Sequence, residues 1–108
     1  MSEANAMTNK ACFTVNQITG EKFYHGFRDV NMKELYASRQ PYTPKLGYFY
    51  LNQGDGATYK CIAKSFSDTY VFQNVRSKWT FEAHGIGMYK DLSIDWDYST
   101  NGFFKEES

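Results

Sequence analysis

The sequence predicts a mainly β domain, a small antiparallel SH3-like barrel or roll with an N-terminal hairpin and one short helix. Apolar and polar residues alternate along residues 78–84 and 93–98, as expected of strands with one buried and one solvated face. Aromatic residues make up 19% of the chain, and aromatic side chains are enriched in strands. Strands this rich in aromatic residues would be prone to aggregate through an exposed edge. A closed barrel has no unpaired edge strand, which favours a barrel for this sequence.

A flexible leader is predicted for residues 1–10, which are polar and lack periodicity. Residues 11–108 are predicted to form a single domain, since a chain of 108 residues is too short for two cores. The first part of that domain, residues 11–45, begins with two β-rich runs that flank a connection containing Gly20. This pattern predicts a hairpin.

A short helix is predicted directly after the hairpin. Asn31 followed three residues later by Glu34 is the capping-box pattern that marks a helix N-terminus. The helix is expected to end near Ser38, because Pro41 and Pro44 cannot continue it. The stretch with the two prolines is therefore predicted to be a semi-rigid connector.

Residues 46–104 are predicted to form the five-stranded antiparallel barrel or roll. Runs of β-branched and aromatic residues, bounded by turn-forming residues, place the strands at residues 46–51, 58–63, 69–75, 79–84 and 94–98. Alternation predicts that one face of the last two strands is apolar, with Trp79, Phe81, Ala83, Ile94, Trp96 and Tyr98.

The connection between the last two strands has two interpretations. In the favoured one, a two-residue turn at residues 91–92 sets Trp96 opposite Gly87, so that a large ring covers a strand glycine. A longer loop instead brings His84 opposite Asp95. The two registers place different polar residues side by side.

Charge and cysteine content argue against several classes of protein. Twelve basic and twelve acidic residues give a net charge of zero, whereas dedicated nucleic-acid binders ordinarily carry a basic excess. No apolar run reaches ten residues, so we expect neither a signal peptide nor a transmembrane helix in this chain. Cys12 and Cys61 are too few for a disulfide scaffold, so we expect a cytoplasmic protein whose two thiols are reduced and buried.

Sequence patterns for catalysis are also sparse. The chain has no nucleophile elbow, zinc-protease, P-loop or dinucleotide motif. His84 with Glu82, Asp95 and Asp97 could support acid–base chemistry or bind a metal ion. Strand alternation alone also places polar residues there, and a solvated hairpin face is the favoured interpretation. No cofactor and no metal ion are predicted.

Several sequence blocks resemble a family of small uncharacterised proteins encoded by Gram-positive gut bacteria, often within prophages and mobile elements. The blocks are Tyr-Lys-Cys at 59–61, Val-Phe-Gln-Asn-Val at 71–75, Trp-Thr-Phe-Glu-Ala-His-Gly at 79–85 and Ile-Asp-Trp-Asp-Tyr-Ser-Thr-Asn-Gly-Phe at 94–103. The resemblance spans residues 46–104. It implies no established activity, but it implies a context of accessory genes, many of which encode binders or inhibitors.

The favoured function is a non-enzymatic binding module that engages a protein partner through an aromatic and charged β face. A core of this size cannot easily enclose all twenty aromatic rings, and exposed tyrosines mark protein interfaces more often than active sites. The residues predicted to contact the partner are Tyr48, Tyr50, Arg76, Lys78, His84, Asp95 and Asp97. The partner is unknown, and homodimerisation through the same face is equally consistent.

Two alternative functions remain at this point. The first is weak binding of single-stranded nucleic acid, because residues 60–78 carry a local charge of +3 among aromatic rings. Its candidate residues are Lys60, Lys64, Tyr70, Phe72, Arg76 and Lys78. The second is a small metal-dependent hydrolase centred on His84 and Asp95.

Overall fold

A computed structural model of the chain describes residues 7–98, which form eight strands and one helix. In chain order the elements are β1 (Thr8–Val15), β2 (Lys22–Val30), α1 (Met32–Ala37), β3 (Gln40–Pro41), β4 (Phe49–Leu51), β5 (Thr58–Phe66), β6 (Thr69–Asn74), β7 (Thr80–Met88) and β8 (Ile94–Tyr98). β1 begins inside the segment predicted as a leader. Residues 99–104, predicted as part of the barrel, lie outside the described residues.

The strands form two antiparallel sheets. β1 and β2 make a two-stranded hairpin, and the other six strands form one sheet in the order β3-β7-β6-β5-β4, with β8 also paired to β7. The predictions of a mainly β antiparallel fold, an N-terminal hairpin and one short helix are therefore confirmed.

The six-stranded sheet is not a closed barrel. Within the described residues Asn52, directly after β4, forms an isolated parallel bridge with Ile94 of β8. The backbone N–H of Gln53 donates to the carbonyl oxygen of Ile94 at 2.7 Å beside this bridge. The sheet therefore curls until the region after β4 touches β8, without a continuous ladder between the two strands.

The N-terminal hairpin is tied to the sheet at its tip. At that tip the N–H of Gly20 donates to the carbonyl oxygen of Asn16 at 2.7 Å, with Gly20 at a φ of 83°. The neighbouring carbonyl oxygen of Gln17 accepts a hydrogen bond from the N–H of Phe49 in β4 at 2.9 Å. The hairpin therefore lies alongside the sheet and touches it through backbone as well as side chains.

Helix α1 begins as the capping pattern predicts. The Asn31 side chain accepts a hydrogen bond from the N–H of Glu34 at 3.1 Å, which satisfies one of the free donors of the first turn. The helix has six residues and buries Leu35. Within residues 7–98, no helix is long and apolar enough to cross a membrane.

The segment predicted as a connector contains a short strand. Gln40 and Pro41 form β3 and pair with Met88 and Gly87 at the end of β7. Proline is tolerated in this position because β3 has only two residues and lies at the end of the sheet order.

The core is predominantly aromatic and consists of residues from β4 to β8. The Trp96 ring stacks on the Phe72 ring with centroids 4.7 Å apart, and Tyr59 meets Trp96 edge-on at 5.0 Å. Aromatic pairs of this kind add to the stabilisation that burial of their area provides. The cluster consists of Tyr50, Tyr59, Cys61, Tyr70, Phe72, Phe81, Ala83, Ile86, Ile94 and Trp96.

The start of β7 departs from the predicted alternation. Phe81 and Ala83 are buried as expected, but Trp79 is 53% exposed and Thr80 is buried. The strand begins only at Thr80, and Lys78 adopts a positive φ of 69°. Trp79 therefore lies at the end of the preceding turn. The alternation of side chains between the two faces of a strand does not apply there.

The β7–β8 hairpin has neither of the two predicted registers. Its connection is a three-residue loop at residues 90–92, closed by the N–H of Tyr89 donating to the carbonyl oxygen of Ser93 at 2.8 Å. Leu92 takes the left-handed position of this loop with a φ of 72°, a position usually filled by glycine. The three-residue loop sets Gly87 opposite Asp95 and not Trp96. An irregularity between His84 and Gly87 then shifts the register by one residue, so that His84 faces Asp97.

Candidate functional site

The structure separates the two tyrosines that were predicted to contact a partner. Tyr50 is fully buried, and its hydroxyl lies 2.9 Å from the Tyr42 hydroxyl and accepts from the N–H of Lys45 at 2.9 Å. Burial raises the pKa of Tyr50 above its ordinary value. Tyr50 is therefore a core residue, which corrects its assignment to the binding surface. Tyr48 is half-buried, with the Lys45 ammonium 5.5 Å from its ring centre.

The four polar residues of β7 and β8 do not form one cluster. His84 and Asp97 are exposed and directly opposite each other in the β7–β8 ladder. Asp95 is engaged within the protein, because its carboxylate accepts from the Tyr89 hydroxyl at 3.1 Å and from the N–H of Trp96 at 2.9 Å. Glu82 accepts a hydrogen bond from the Ser65 hydroxyl at 3.0 Å.

The glycines of β7 make room for charged side chains and not for aromatic rings. A β-carbon at Gly87 would lie 2.7 Å from three atoms of the Arg39 side chain, and one at Gly85 would lie 2.6 Å from the Asp97 carboxylate. The Arg39 guanidinium also donates to the carbonyl oxygen of Gly85. The predicted aromatic cover of Gly87 is therefore wrong, because the Arg39 side chain lies over this glycine.

Arg76 and Lys78 belong to the turn between β6 and β7. The Asn74 side chain accepts from the N–H of Arg76 at 2.9 Å, and the Gln73 amide donates to the carbonyl oxygen of Lys78 at 3.1 Å. Both cationic side chains are exposed. They lie six or more residues before His84 along the chain, a separation of roughly 20 Å in an extended strand. The seven predicted residues thus do not assemble into one site.

The two aromatic rings on which bases would stack in the nucleic-acid alternative are not exposed. Tyr70 and Phe72 are buried, and Phe72 is part of the aromatic core. The Lys64 ammonium lies 5.8 Å from the centre of the Tyr70 ring, and the Lys60 ammonium lies 5.4 Å from that of Phe49. These lysines are available to an anion, but the predicted stacking platform is not on the surface.

The hydrolase alternative has no set of ligands in the part of the chain that the structure describes. Among residues 7–98, no three His, Cys, Asp or Glu side chains lie close enough together to hold a metal ion. The exposed pair of His84 and Asp97 has no neighbouring nucleophile among the contacts described above. The geometry therefore gives this alternative no support.

The prediction that Cys61 is a core residue is confirmed, whereas Cys12 is only partly buried. Burial raises the pKa of the Cys61 thiol to about 11, from an ordinary value of 9.0. Since the thiolate is the reactive form, Cys61 is a poor nucleophile in the folded protein.

This raised pKa predicts a loss of stability in alkali. Between pH 9 and 11 the unfolded chain releases the Cys61 proton while the folded chain retains it, so the free energy of unfolding falls as pH rises. Urea denaturation at pH 8, 9, 10 and 11 measures the decline. Cys61→Ala is expected to make the decline shallower, and Cys12→Ala serves as the matched control. An equally steep decline in both variants would contradict the assignment.

An aromatic surface that no sequence pattern singled out lies on the hairpin. The Phe13 and Tyr24 rings are 5.2 Å apart and the Tyr24 and Phe27 rings 6.2 Å apart, so the three rings form a continuous row. Phe27 is 64% exposed and Tyr24 is 57% exposed. We call Phe13, Tyr24 and Phe27 the hairpin surface. The signal in the sequence is the adjacent pair Phe23-Tyr24, which places rings on both faces of a strand.

A groove of about 740 Å³ separates the hairpin from the rest of the protein. One wall is formed by both strands of the hairpin, and the other by α1, the end of β4 and the β7–β8 loop. Its apolar lining includes Leu35, Leu51 and Cys12, and its size is typical of ligand sites.

The groove is lined by three acidic and three basic side chains. Three acidic groups have partners, since Asp29 accepts from Asn9 at 3.0 Å, Glu34 pairs with Lys90 at 3.6 Å, and Asp91 accepts from the Ser93 hydroxyl. Lys10 and Arg28 face each other across the hairpin ladder. Neither cation has an acidic partner within 4 Å among residues 7–98. Asn9 and Ser93 are neutral donors, so Asp29 and Asp91 keep their charges and the groove lining is balanced overall.

No family model, curated protein or solved structure matches this chain. The SH3-like assignment and the resemblance to proteins of mobile elements therefore stay predictions. Function has to be argued from the surfaces of the molecule itself.

Three features of these surfaces were missed by the sequence analysis. They are the hairpin surface, the groove and the position of Arg39 over Gly87. Each depends on how the hairpin and the segment after α1 pack against the sheet, which hydrophobic periodicity does not encode.

Proposed function

We propose that this chain is a non-enzymatic protein-binding module that contacts its partner through the hairpin surface. The observation that carries the proposal is the row of rings at Phe13, Tyr24 and Phe27, of which Tyr24 and Phe27 are exposed and Phe13 is half-buried. Contiguous exposed aromatic residues are characteristic of protein interfaces, where their large area becomes buried.

The architecture of the hairpin supports this proposal. A two-stranded sheet is at best marginally stable by itself, and this one is open to solvent along nearly the whole of β2. A partner that covers the hairpin surface would bury the rings and stabilise the hairpin at the same time. The cation of Lys22 lies 4.3 Å from the Phe13 ring centre, which adds a charged edge to the surface.

Two further considerations support a binding role. The resemblance of residues 46–104 to small proteins of prophages and mobile elements implies a context in which many genes encode binders or inhibitors. The thiols of Cys12 and Cys61 are both free, which is consistent with the reducing cytoplasm as the site of action.

Co-purification with matched variants tests the proposal. An affinity-tagged chain, expressed in its source cells, is compared with Phe27→Ser on the hairpin surface and with Phe66→Ser on β5. Phe66 is 71% exposed and lies outside the hairpin surface, so it controls for the loss of an exposed ring. We expect a defined protein to co-purify with the wild type and with Phe66→Ser, and to fall about tenfold with Phe27→Ser.

Each outcome of the co-purification experiment has a distinct meaning. A second copy of the chain, detected as a dimer by light scattering and lost in Phe27→Ser, would identify the partner as the protein itself. Equal recovery with all three chains, or no recovery with the wild type, would overturn the proposal. Thermal unfolding of each variant verifies that the fold is intact.

A further inference from the structure

Strand β2 has a free backbone edge. Among residues 7–98 it pairs with β1 alone, and no other backbone–backbone hydrogen bond in this part of the chain involves residues 22–30. Seven of its nine residues are exposed. An exposed strand edge with unpaired N–H and C=O groups can bind a further strand.

A bulge in β2 brings two aromatic rings onto one face of this strand. Phe13 pairs with Tyr24 and Ala11 pairs with Phe27, so β2 has one residue more than β1 between the two pairs. Ala11 and Phe13 lie on the same face because they are two positions apart, and residues opposite each other in a ladder share a face. Tyr24 and Phe27 therefore lie side by side, with their ring centres 6.2 Å apart.

Two opposite charges flank these rings on the same face. Lys22 and Asp29 belong to it because their partners on β1, Val15 and Asn9, continue the alternation of Ala11 and Phe13. Along this face of β2 the side chains follow in the order Lys22, Tyr24, Phe27, Asp29. The midpoint of this series lies between residues 25 and 26.

The series is complementary to its own reverse. If two copies of β2 lie antiparallel about a two-fold axis at that midpoint, Lys22 of each copy faces Asp29 of the other, and Tyr24 of each faces Phe27 of the other. Opposite charges and aromatic rings are both favourable cross-strand pairs.

The two charges have neutral partners within the chain. The Lys22 ammonium donates to the carbonyl oxygen of Gly56, and the Asp29 carboxylate accepts from the Asn9 amide. Among residues 7–98 neither charge forms an ion pair. Because an ammonium has three donors and a carboxylate has two oxygens, each group can also bind a second chain.

We infer that two copies of this chain associate through the edges of β2 in this register and form a four-stranded sheet with the order β1-β2-β2-β1. A regular strand would lose its register at the bulge, whereas a second copy has the same extra residue at the same point. The two hairpin surfaces then join into one continuous row of rings. The role of that joined surface rests on the proposed function: the dimer presents it to the partner.

Sedimentation velocity of the full chain at increasing concentration tests the inference with two single variants. In this register Lys22→Glu sets two carboxylates opposite each other, and Asp29→Lys sets two ammonium groups opposite each other. Each variant is expected to dimerise about tenfold more weakly than the wild type, because like charges directly opposite each other destabilise a sheet. An equimolar mixture of the two variants restores opposite charges at both pairs and is expected to dimerise as the wild type does.

Matched controls and a structural readout accompany this test. Lys64→Glu and Asp68→Lys make the same changes of charge at exposed positions outside the hairpin, and both are expected to dimerise as the wild type does. An isotope-filtered NOE spectrum of ¹³C-labelled wild type mixed with unlabelled wild type should show contacts between Tyr24 of one copy and Phe27 of the other. This measurement also decides the inference if thermal unfolding shows that a variant has lost its fold.

Several outcomes would overturn the inference. They are a wild type that stays monomeric at every concentration, a dimer that neither folded variant weakens, folded variants whose mixture does not recover, and a dimer without NOE contacts between Tyr24 and Phe27 of different copies. None of these outcomes decides the proposed function. A different protein that co-purifies with a monomeric wild type and is lost with Phe27→Ser would support the proposed function although the inference fails.

Discussion

Replacement of Phe72 by alanine is expected to lower the free energy of unfolding by about 3–5 kcal/mol. The Phe72 ring is fully buried, lies parallel to Trp96 at 4.7 Å and contacts the Tyr50 and Phe81 rings at 6.4 and 6.3 Å. Removing it leaves a cavity at the centre of the cluster, where the surrounding rings are too rigid to fill it. Urea denaturation at neutral pH measures the effect.

The matched control for this prediction is Phe66→Ala. Phe66 is on the neighbouring strand and is mostly exposed, so its removal is expected to change stability by no more than about 0.5 kcal/mol. The comparison also tests the nucleic-acid alternative. If Phe72→Ala kept the stability of the wild type and lost binding to single-stranded DNA, Phe72 would be a surface platform and the core described above would be wrong.

Replacement of Gly20 by alanine is expected to cost about 2–5 kcal/mol. Its φ of 83° lies in the left-handed region, which costs roughly 1–2 kcal/mol for a residue with a β-carbon. The added carbon would also lie 2.7 Å from two atoms of the Phe49 ring, and overpacking of this kind costs roughly 1–3 kcal/mol. The substitution should therefore weaken the attachment of the hairpin tip to β4.

Gly26 provides the control within the same hairpin. Its φ is 88°, and a β-carbon there would meet nothing within 4 Å. Gly26→Ala is thus expected to cost only the conformational part, roughly 1–2 kcal/mol. Phe49→Leu in the Gly20→Ala background should recover part of the steric loss. Equal costs for the two glycines in urea denaturation, with no recovery, would show that the hairpin tip does not rest on Phe49.

Features with a local cause were predictable from the sequence. Asn31 and Glu34 mark the start of α1 because the cap is made between residues three positions apart. The strands were located because β-branched and aromatic runs end at turn-forming residues. Cys61 was placed in the core because a free cysteine behaves as a small apolar residue.

Features that depend on tertiary packing were not predictable in this way. Tyrosine is a residue type common in interfaces, but the Tyr50 hydroxyl forms hydrogen bonds with the Tyr42 hydroxyl and the Lys45 N–H. Because its polar group has partners, the side chain can be completely buried. The β7–β8 register depends on a positive φ at Gly85 and at Leu92. The turn propensities favour a shorter loop, and the sequence alone gives Leu92 no preference for the left-handed region.

The candidate site depends even more strongly on long-range contacts. The groove exists because the hairpin tip bonds to β4 between Gln17 and Phe49, residues far apart in the chain. Lys10 and Arg28 look like ordinary surface cations in the sequence. The pairing of β1 with β2 makes them direct neighbours, and both residues line the same groove.

The attachment of the hairpin at its tip also bears on how the molecule unfolds. β1 and β2 contact each other much more extensively than they contact the sheet, and segments of this kind commonly open as separate cooperative units. The aromatic core lies entirely outside the hairpin, so we expect the hairpin to open while the six-stranded sheet remains folded. Access to the groove would then depend on a sub-global opening equilibrium, and we expect its free energy to be a fraction of that of the whole domain.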